Sequence, residues 1–135
     1  MLTPLTLHTS LSTPEEMISG VISHVLSGHS GDLYKVALSR NNRYVVSGDE
    51  DGTIIVHSTK TGILEYRALN VFIRVKGLCY LPNDSLVACG YSDEGAHLKV
   101  YSPSLELVQN LEGHVGPVNC VTVSPSGSHF ASGGD

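Results

Sequence analysis

From Leu33 onward, apolar residues fall in short runs cut by turn residues at near-even intervals. Leu33, Val36 and Leu38 mark a first run, closed by Arg40-Asn41-Asn42-Arg43, which reads as a solvated polar turn. Tyr44-Val45-Val46-Ser47 is a second run, rich in β-formers. Asp49-Glu50-Asp51-Gly52 is a hairpin signal, because Asp-Gly takes the positive-φ turn that matches strand twist. Thr53 to His57 is a third run, Thr59 to Gly62 turns again, and Ile63 to Leu69 is a fourth. The same order returns in Val75–Leu81, Leu86–Cys89, His97–Tyr101 and Leu105–Leu111, and begins once more in Val118–Val123 and Phe130–Asp135. Short strands with Gly, Pro and Asp turns predict all-β structure.

The opening residues read two ways. Leu5-Thr6-Leu7-His8-Thr9 resembles Ile54-Ile55-Val56-His57-Ser58, which predicts a third strand of an earlier unit. Thr13-Pro14-Glu15-Glu16 reads as a helix start, with Pro at the first helical position and acids in the first turn. Val21 to Leu26 is an outer strand corresponding to Leu105–Leu111.

The runs belong to a repeat. Leu26-Ser27-Gly28-His29 returns as Leu111-Glu112-Gly113-His114, with the two histidines 85 positions apart. That is two periods of about 42, the length of a four-stranded propeller blade. Val36, Leu78 and Val121 fall in register with it, at gaps of 42 and 43. The expected fold is a partial, open β-propeller of four-stranded antiparallel blades. Blade 1 covers about residues 29–69, blade 2 about 70–111 and an incomplete blade 3 about 112–135, with 1–20 as an N-terminal segment before a propeller region at 21–135. A closed ring takes about four to eight blades, so the chain reads as a fragment or as one of several copies that close a ring. Open blade edges would allow self-association.

Gly-His, two apolar strands, Ser-Gly, Asp-Gly-Thr and an apolar third strand, in that order and at that period, resemble the WD-repeat family of β-propellers. The resemblance covers roughly residues 21–135. It implies a structural tetrad: His29 bridging Ser47 and Asp51, with His57 where the family carries Trp. In the second copy Asn70-Val71 replaces Gly-His, Cys89 replaces the hydroxyl, Tyr101 stands for the Trp, and Asp93 or Glu94 fills the hairpin acid. The third copy has His114 and Ser132, and its aspartate is expected one residue after Asp135. No Trp occurs in the chain.

Composition changes little in this picture but closes off other functions. At 41% hydrophobic and 16% charged residues the chain is globular. A net charge of −5 with little clustering of cations argues against nucleic acid. No apolar run approaches the length of a membrane span. Cys79, Cys89 and Cys120 lack CxxC spacing and read as reduced thiols of an intracellular protein, cytoplasmic or nuclear. Seven histidines invite a hydrolase or metal reading, with His29, Asp51 and Ser47 as a Ser-His-Asp set. The tetrad accounts for the same spacing without chemistry, and no nucleophile elbow, phosphate loop or His-Glu-x-x-His helix is present. No catalytic residue, cofactor or metal is therefore expected.

The expected function is a noncatalytic protein-interaction scaffold, with a regulatory or sensor segment of a multidomain protein as the alternative. The resemblance places one broad face on the loops before the first strand and between the second and third. Asp32, Tyr34, Glu50, Phe72, Arg74 and Tyr91 are its candidate contacts, since aromatic and Arg side chains anchor interfaces.

Overall fold

The computed structural model describes residues 3–9 and 21–135, and every regular element among them is a strand. The helix start read at Thr13–Glu16 lies outside the described residues. The strands are β1 (Thr3–Thr9), β2 (Val21–His29), β3 (Leu33–Leu38), β4 (Tyr44–Asp49), β5 (Ile54–Ser58), β6 (Leu64–Ala68), β7 (Arg74–Tyr80), β8 (Leu86–Tyr91), β9 (Leu98–Tyr101), β10 (Leu107–Asn110), β11 (Val118–Val123) and β12 (Phe130–Gly134). They form two four-stranded antiparallel sheets, β3-β4-β5-β6 and β7-β8-β9-β10, and two hairpins, β1-β2 and β11-β12. Each strand pairs with its chain neighbour, as the turn signals predict.

One irregularity marks the repeat. The first ladder slips between Leu33 and Lys35, the next between Val75 and Gly77, and the last between Val118 and Cys120. A bulge at the same place in three ladders bends the innermost strand each time. The residues just before it, Val75 and Val118, are fully buried.

The core lies between sheets. Val46, Ile54 and Val56 of the first sheet pack with Val75, Leu78, Tyr80 and Ala88 of the second. On the second sheet's other face, Cys79, Val87, Cys89 and Leu98 pack with Val118, Val121 and Val123. The central sheet is thus covered on both sides, so β8 is a continuous apolar run and not an alternating one. Each such side chain contributes about 1.5–3 kcal/mol on burial.

Turns tie the sheets together. Gly52 has φ 78°, and a Cβ there would lie 1.6 Å from the Phe72 carbonyl oxygen. Only glycine fits, because the turn is left-handed and the next sheet's backbone touches it. Val71 N–H donates to the Gly52 carbonyl at 2.9 Å. The turn at 40–43, read from sequence as solvated, is also a bridge. Asn41 Nδ2 donates to Asp84 Oδ2 at 3.2 Å, and Arg40 donates to the carbonyls of Ser124, at 3.2 Å, and Pro125. These side chains stay exposed. Sequence reading missed their role because the partners lie 43 to 85 positions away.

Candidate functional site

His29 closes β2 behind Gly28, whose φ of 135° turns the chain from the outer strand toward the next sheet. The imidazole Nδ1 lies 2.6 Å from Asp49 Oδ2, and Nε2 lies 2.6 Å from Ser47 Oγ. A carboxylate only accepts, so Nδ1–H donates to it. In the neutral ring Nε2 is left to accept from the Ser47 hydroxyl. Asp49 Oδ1 accepts from the backbone N–H groups of Asp51 and Thr53, each at 2.9 Å, and so closes the β4-β5 hairpin.

The acid in this clasp is Asp49, which corrects the expectation of Asp51. Ser47 and Asp49 are two apart on β4, and a period of two puts both side chains on one face. Asp51 lies past the strand in the turn, exposed, where it accepts from Ser30 Oγ at 3.3 Å. The alternation could have revealed this; the Asp-Gly dipeptide drew the alignment two residues too far.

The same shift revises the other copies. His114 Nε2 lies 2.8 Å from Ser132 Oγ, but the position matching Asp49 is Gly134, not a residue after Asp135. In the second sheet that position is Gly90, and the Ser47 position is Ala88 rather than the expected Cys89, which lies on the opposite face; Asp93 and Glu94 sit exposed in the turn. Tyr101 pairs with Leu86 as His57 pairs with Val45, so Tyr101 stands at the His57 position. The β8-β9 connection is longer than β4-β5, since Cys89 pairs with Leu98 nine positions on where Gly48 pairs with Ile54 six positions on, but the ladder keeps its register. Tyr101 is buried in the apolar core, and burial pushes its hydroxyl up to about 12.

His57 donates from Nε2 to the Ser27 carbonyl at 2.9 Å, and its buried Nδ1 has no hydrogen-bond partner. It pins the β2 backbone to β5. Burial lowers its pKa, and the neighbouring His29 and Arg67 charges push the same way, against the Ser27 carbonyl bond. The thiols are held protonated by burial, Cys79 at about 11 and Cys89 at about 12.

The Asp49-His29-Ser47 chain has the connectivity of a hydrolase triad, but all three residues are at most 1% exposed. A nucleophile sealed from solvent has no substrate to attack, so the arrangement serves as a clasp between β2 and β4. Among the described residues no group of three His, Cys, Asp or Glu side chains is placed to hold a metal ion. No helix among them is long and apolar enough to cross a membrane.

The outward-facing candidates gather at the edge between the sheets. The Arg74 guanidinium carbon lies 5.2 Å above the Tyr34 ring centroid. Tyr91 stacks on His97 with centroids 6.2 Å apart, and both tyrosines are more than a third exposed. Ile73, Arg74, Lys76, Tyr91 and Pro117 line a cleft of about 300 Å³. Asp32 and Glu50 meet through the Glu50 N–H and the Asp32 carbonyl, at 2.9 Å. Phe72 does not belong with them: it is 4% exposed and packs in the core. The Lys99 ammonium caps it at 5.0 Å from the ring centroid and donates to the Val71 carbonyl at 2.8 Å. Lys99 was not legible as a buried residue, because its partners are on the loop before β7.

This repeated four-stranded unit, with its Gly-His clasp, defines a propeller built from WD repeats. The WD domain, G-beta repeat, matches residues 20–58 and 105–135, about half the chain, and the chain belongs to this family. The unmatched middle is the part whose clasp positions carry Val71 and Ala88. The chain is 25% identical over 150 residues to the serine-threonine kinase receptor-associated protein of Gallus gallus, covering 82% of this chain and 42% of that one. It is 27% identical over 113 residues to guanine nucleotide-binding protein subunit beta-1 of Drosophila melanogaster, covering 82% and 33%. It is 27% identical over 118 residues to autophagy-related protein 16 of Arabidopsis thaliana, covering 84% and 23%. The chain therefore spans less than half the length of these relatives. WD40 domains mediate protein interactions, and the family is generally noncatalytic.

Proposed function

We propose that this chain is a noncatalytic scaffold that binds a protein or peptide through the surface of Tyr34, Arg74 and Tyr91. The observation that carries the reading is the Arg74 guanidinium stacked on an exposed Tyr34 beside the cleft of Ile73, Tyr91 and Pro117. Stacking holds both side chains in place before a partner arrives, which reduces the entropy lost on binding. Tyr and Arg are the residue types that dominate interface energetics. Asp32 and Glu50 would form the polar rim. The clasp beneath serves to hold this surface in shape.

The test compares the natural chain with the Tyr34→Ala/Arg74→Ala variant in affinity capture, followed by titration of each captured protein in purified form. The variant should lose a partner by about tenfold or more in affinity while keeping its β-sheet circular dichroism and melting temperature. Equal affinity for every partner would remove this surface from consideration.

A further inference from the structure

The bulges of the three innermost strands set their extra residues in one row. In each ladder one residue has no partner opposite it: Tyr34 between Leu33 and Lys35, Lys76 between Val75 and Gly77, and Asn119 between Val118 and Cys120. A bulge re-aims the side chain it carries. Here it leaves Tyr34 and Asn119 exposed and Lys76 half-buried, while the adjacent Val75 and Val118 are sealed. Contacts run from each bulge to the next repeat. The Tyr34 ring lies under Arg74, two residues before the second bulge. Lys76 shares its cleft with Pro117, two residues before the third. Lys76 Nζ also donates to Asn119 Oδ1 at 2.9 Å, from bulge to bulge. The row of Tyr34, Arg74, Lys76 and Asn119 thus crosses three repeats.

The row is basic on a chain whose net charge is −5. Among the described residues the one ion pair is His29 with Asp49, so neither Arg74 nor Lys76 has a carboxylate on it. The Tyr34 ring attracts the Arg74 charge but offers no lone pair to its five N–H donors. Lys76 uses one of its three donors on Asn119. Asn119 Nδ2 donates to Asp135 Oδ1 at 3.2 Å, which keeps its amide oxygen turned to Lys76. Lys35 adds a third charge nearby: with Lys76 it acts against the burial that raises the Cys89 thiol.

We infer that the partner of the surface proposed above, on which this inference rests, is an acidic peptide segment. Arg74 and Lys76 take an aspartate or glutamate carboxylate, and an apolar side chain beside it enters the cleft of Ile73, Tyr91 and Pro117. A guanidinium fork matches the two oxygens of a carboxylate. The cleft of about 300 Å³ lies at the small end of ligand sites and suits one side chain. A phosphate fits this row less well, because phosphopeptide readers gather several arginines and Arg74 is the one arginine in it.

The probes are degenerate peptide libraries that differ at one fixed position, Glu, Gln, Lys or phosphoserine, each followed by a fixed Leu. The immobilised natural chain should retain the Glu library about tenfold better than the Gln library, the contribution of one charge-assisted hydrogen bond at an open site. That preference should shrink as NaCl rises from about 50 to about 500 mM. Arg74→Glu should abolish it and favour the Lys library. Lys60→Glu, the same charge change in the turn at 59–62, should leave it intact. Arg74 and Lys60 are both exposed, so circular dichroism should not change in either variant. Equal retention of the Glu and Gln libraries, stronger retention of Lys or phosphoserine by the natural chain, no retention of any library, or a Glu preference that survives Arg74→Glu would each overturn the inference. These outcomes leave the surface itself standing; that reading fails only if Tyr34→Ala/Arg74→Ala keeps every captured partner at full affinity.

Discussion

In the first four-stranded sheet His29 is held between Ser47 and Asp49; at the matching positions the second sheet carries Val71, Ala88 and Gly90. The backbone path is similar in both. Gly28 turns at φ 135°, and Asn70 takes its place at φ 54°, the positive-φ region that Asn tolerates best after Gly. The chemistry differs because the surroundings differ. The second sheet is sandwiched between neighbours, so apolar packing of Val71 and Ala88 suffices to lock it. The first sheet has an open face over Val36 and Leu38 and relies on a hydrogen-bonded clasp. A repeat can thus lose its polar motif where packing on both faces replaces it.

The largest test of this contrast is Asp49→Ala. It strands His29 and two backbone N–H groups in a buried site and should cost about 3 kcal/mol in urea unfolding. Asp51→Ala, in the exposed turn, should stay within about 0.5 kcal/mol. Equal costs for the two would return the clasp to Asp51.

Gly28→Ala should destabilise by roughly 2 kcal/mol, because an L side chain at positive φ is strained and its Cβ would lie 3.1 Å from Ile55 Cδ1. Asn70→Gly should be close to neutral, since the backbone there already accepts a side chain. Thermal melts of the two variants would show whether both turns carry the same constraint.

Ala88→Ser restores the hydroxyl of the first sheet without a histidine to receive it. The stranded hydroxyl should cost roughly 1–2 kcal/mol. If Ala88→Ser is neutral, the second sheet has a polar partner for that position and the contrast fails.

The smallest effect is on pH. Burial holds His57 below its ordinary pKa of 6.5, so the unfolded chain takes up the proton first. Its contribution is fully present above about pH 6.5 and is lost progressively as pH falls below it. Denaturant midpoints of the natural chain and His57→Gln should converge between pH 7.5 and 5.5. A gap that stays constant would mean His57 does not titrate with unfolding.

Much of this was legible early. The strand order, the turns and the period followed from where apolar runs stop and Gly, Asp and Pro intervene, because local propensity and turn chemistry act over a few residues. The clasp was half legible. His29 and Ser47 stood at the expected spacing, but the acid depended on which side of β4 each carboxylate faces. Phe72 and Tyr34 were both read as surface contacts; one is capped by Lys99 and buried, the other carries Arg74.

The sequence by itself determined the all-β repeat, its antiparallel hairpins and the residues at the clasp's glycine and histidine, since these follow from periodicity and backbone sterics. Only the tertiary structure decided that Asp49 is the acid, that Arg40 bridges three-dimensional neighbours across the sheets, and that Val36 lies open while its repeat-mate Leu78 is buried. Those outcomes depend on which sheet lies against which face. Contacts between residues dozens of positions apart set them, and no local pattern encodes such contacts.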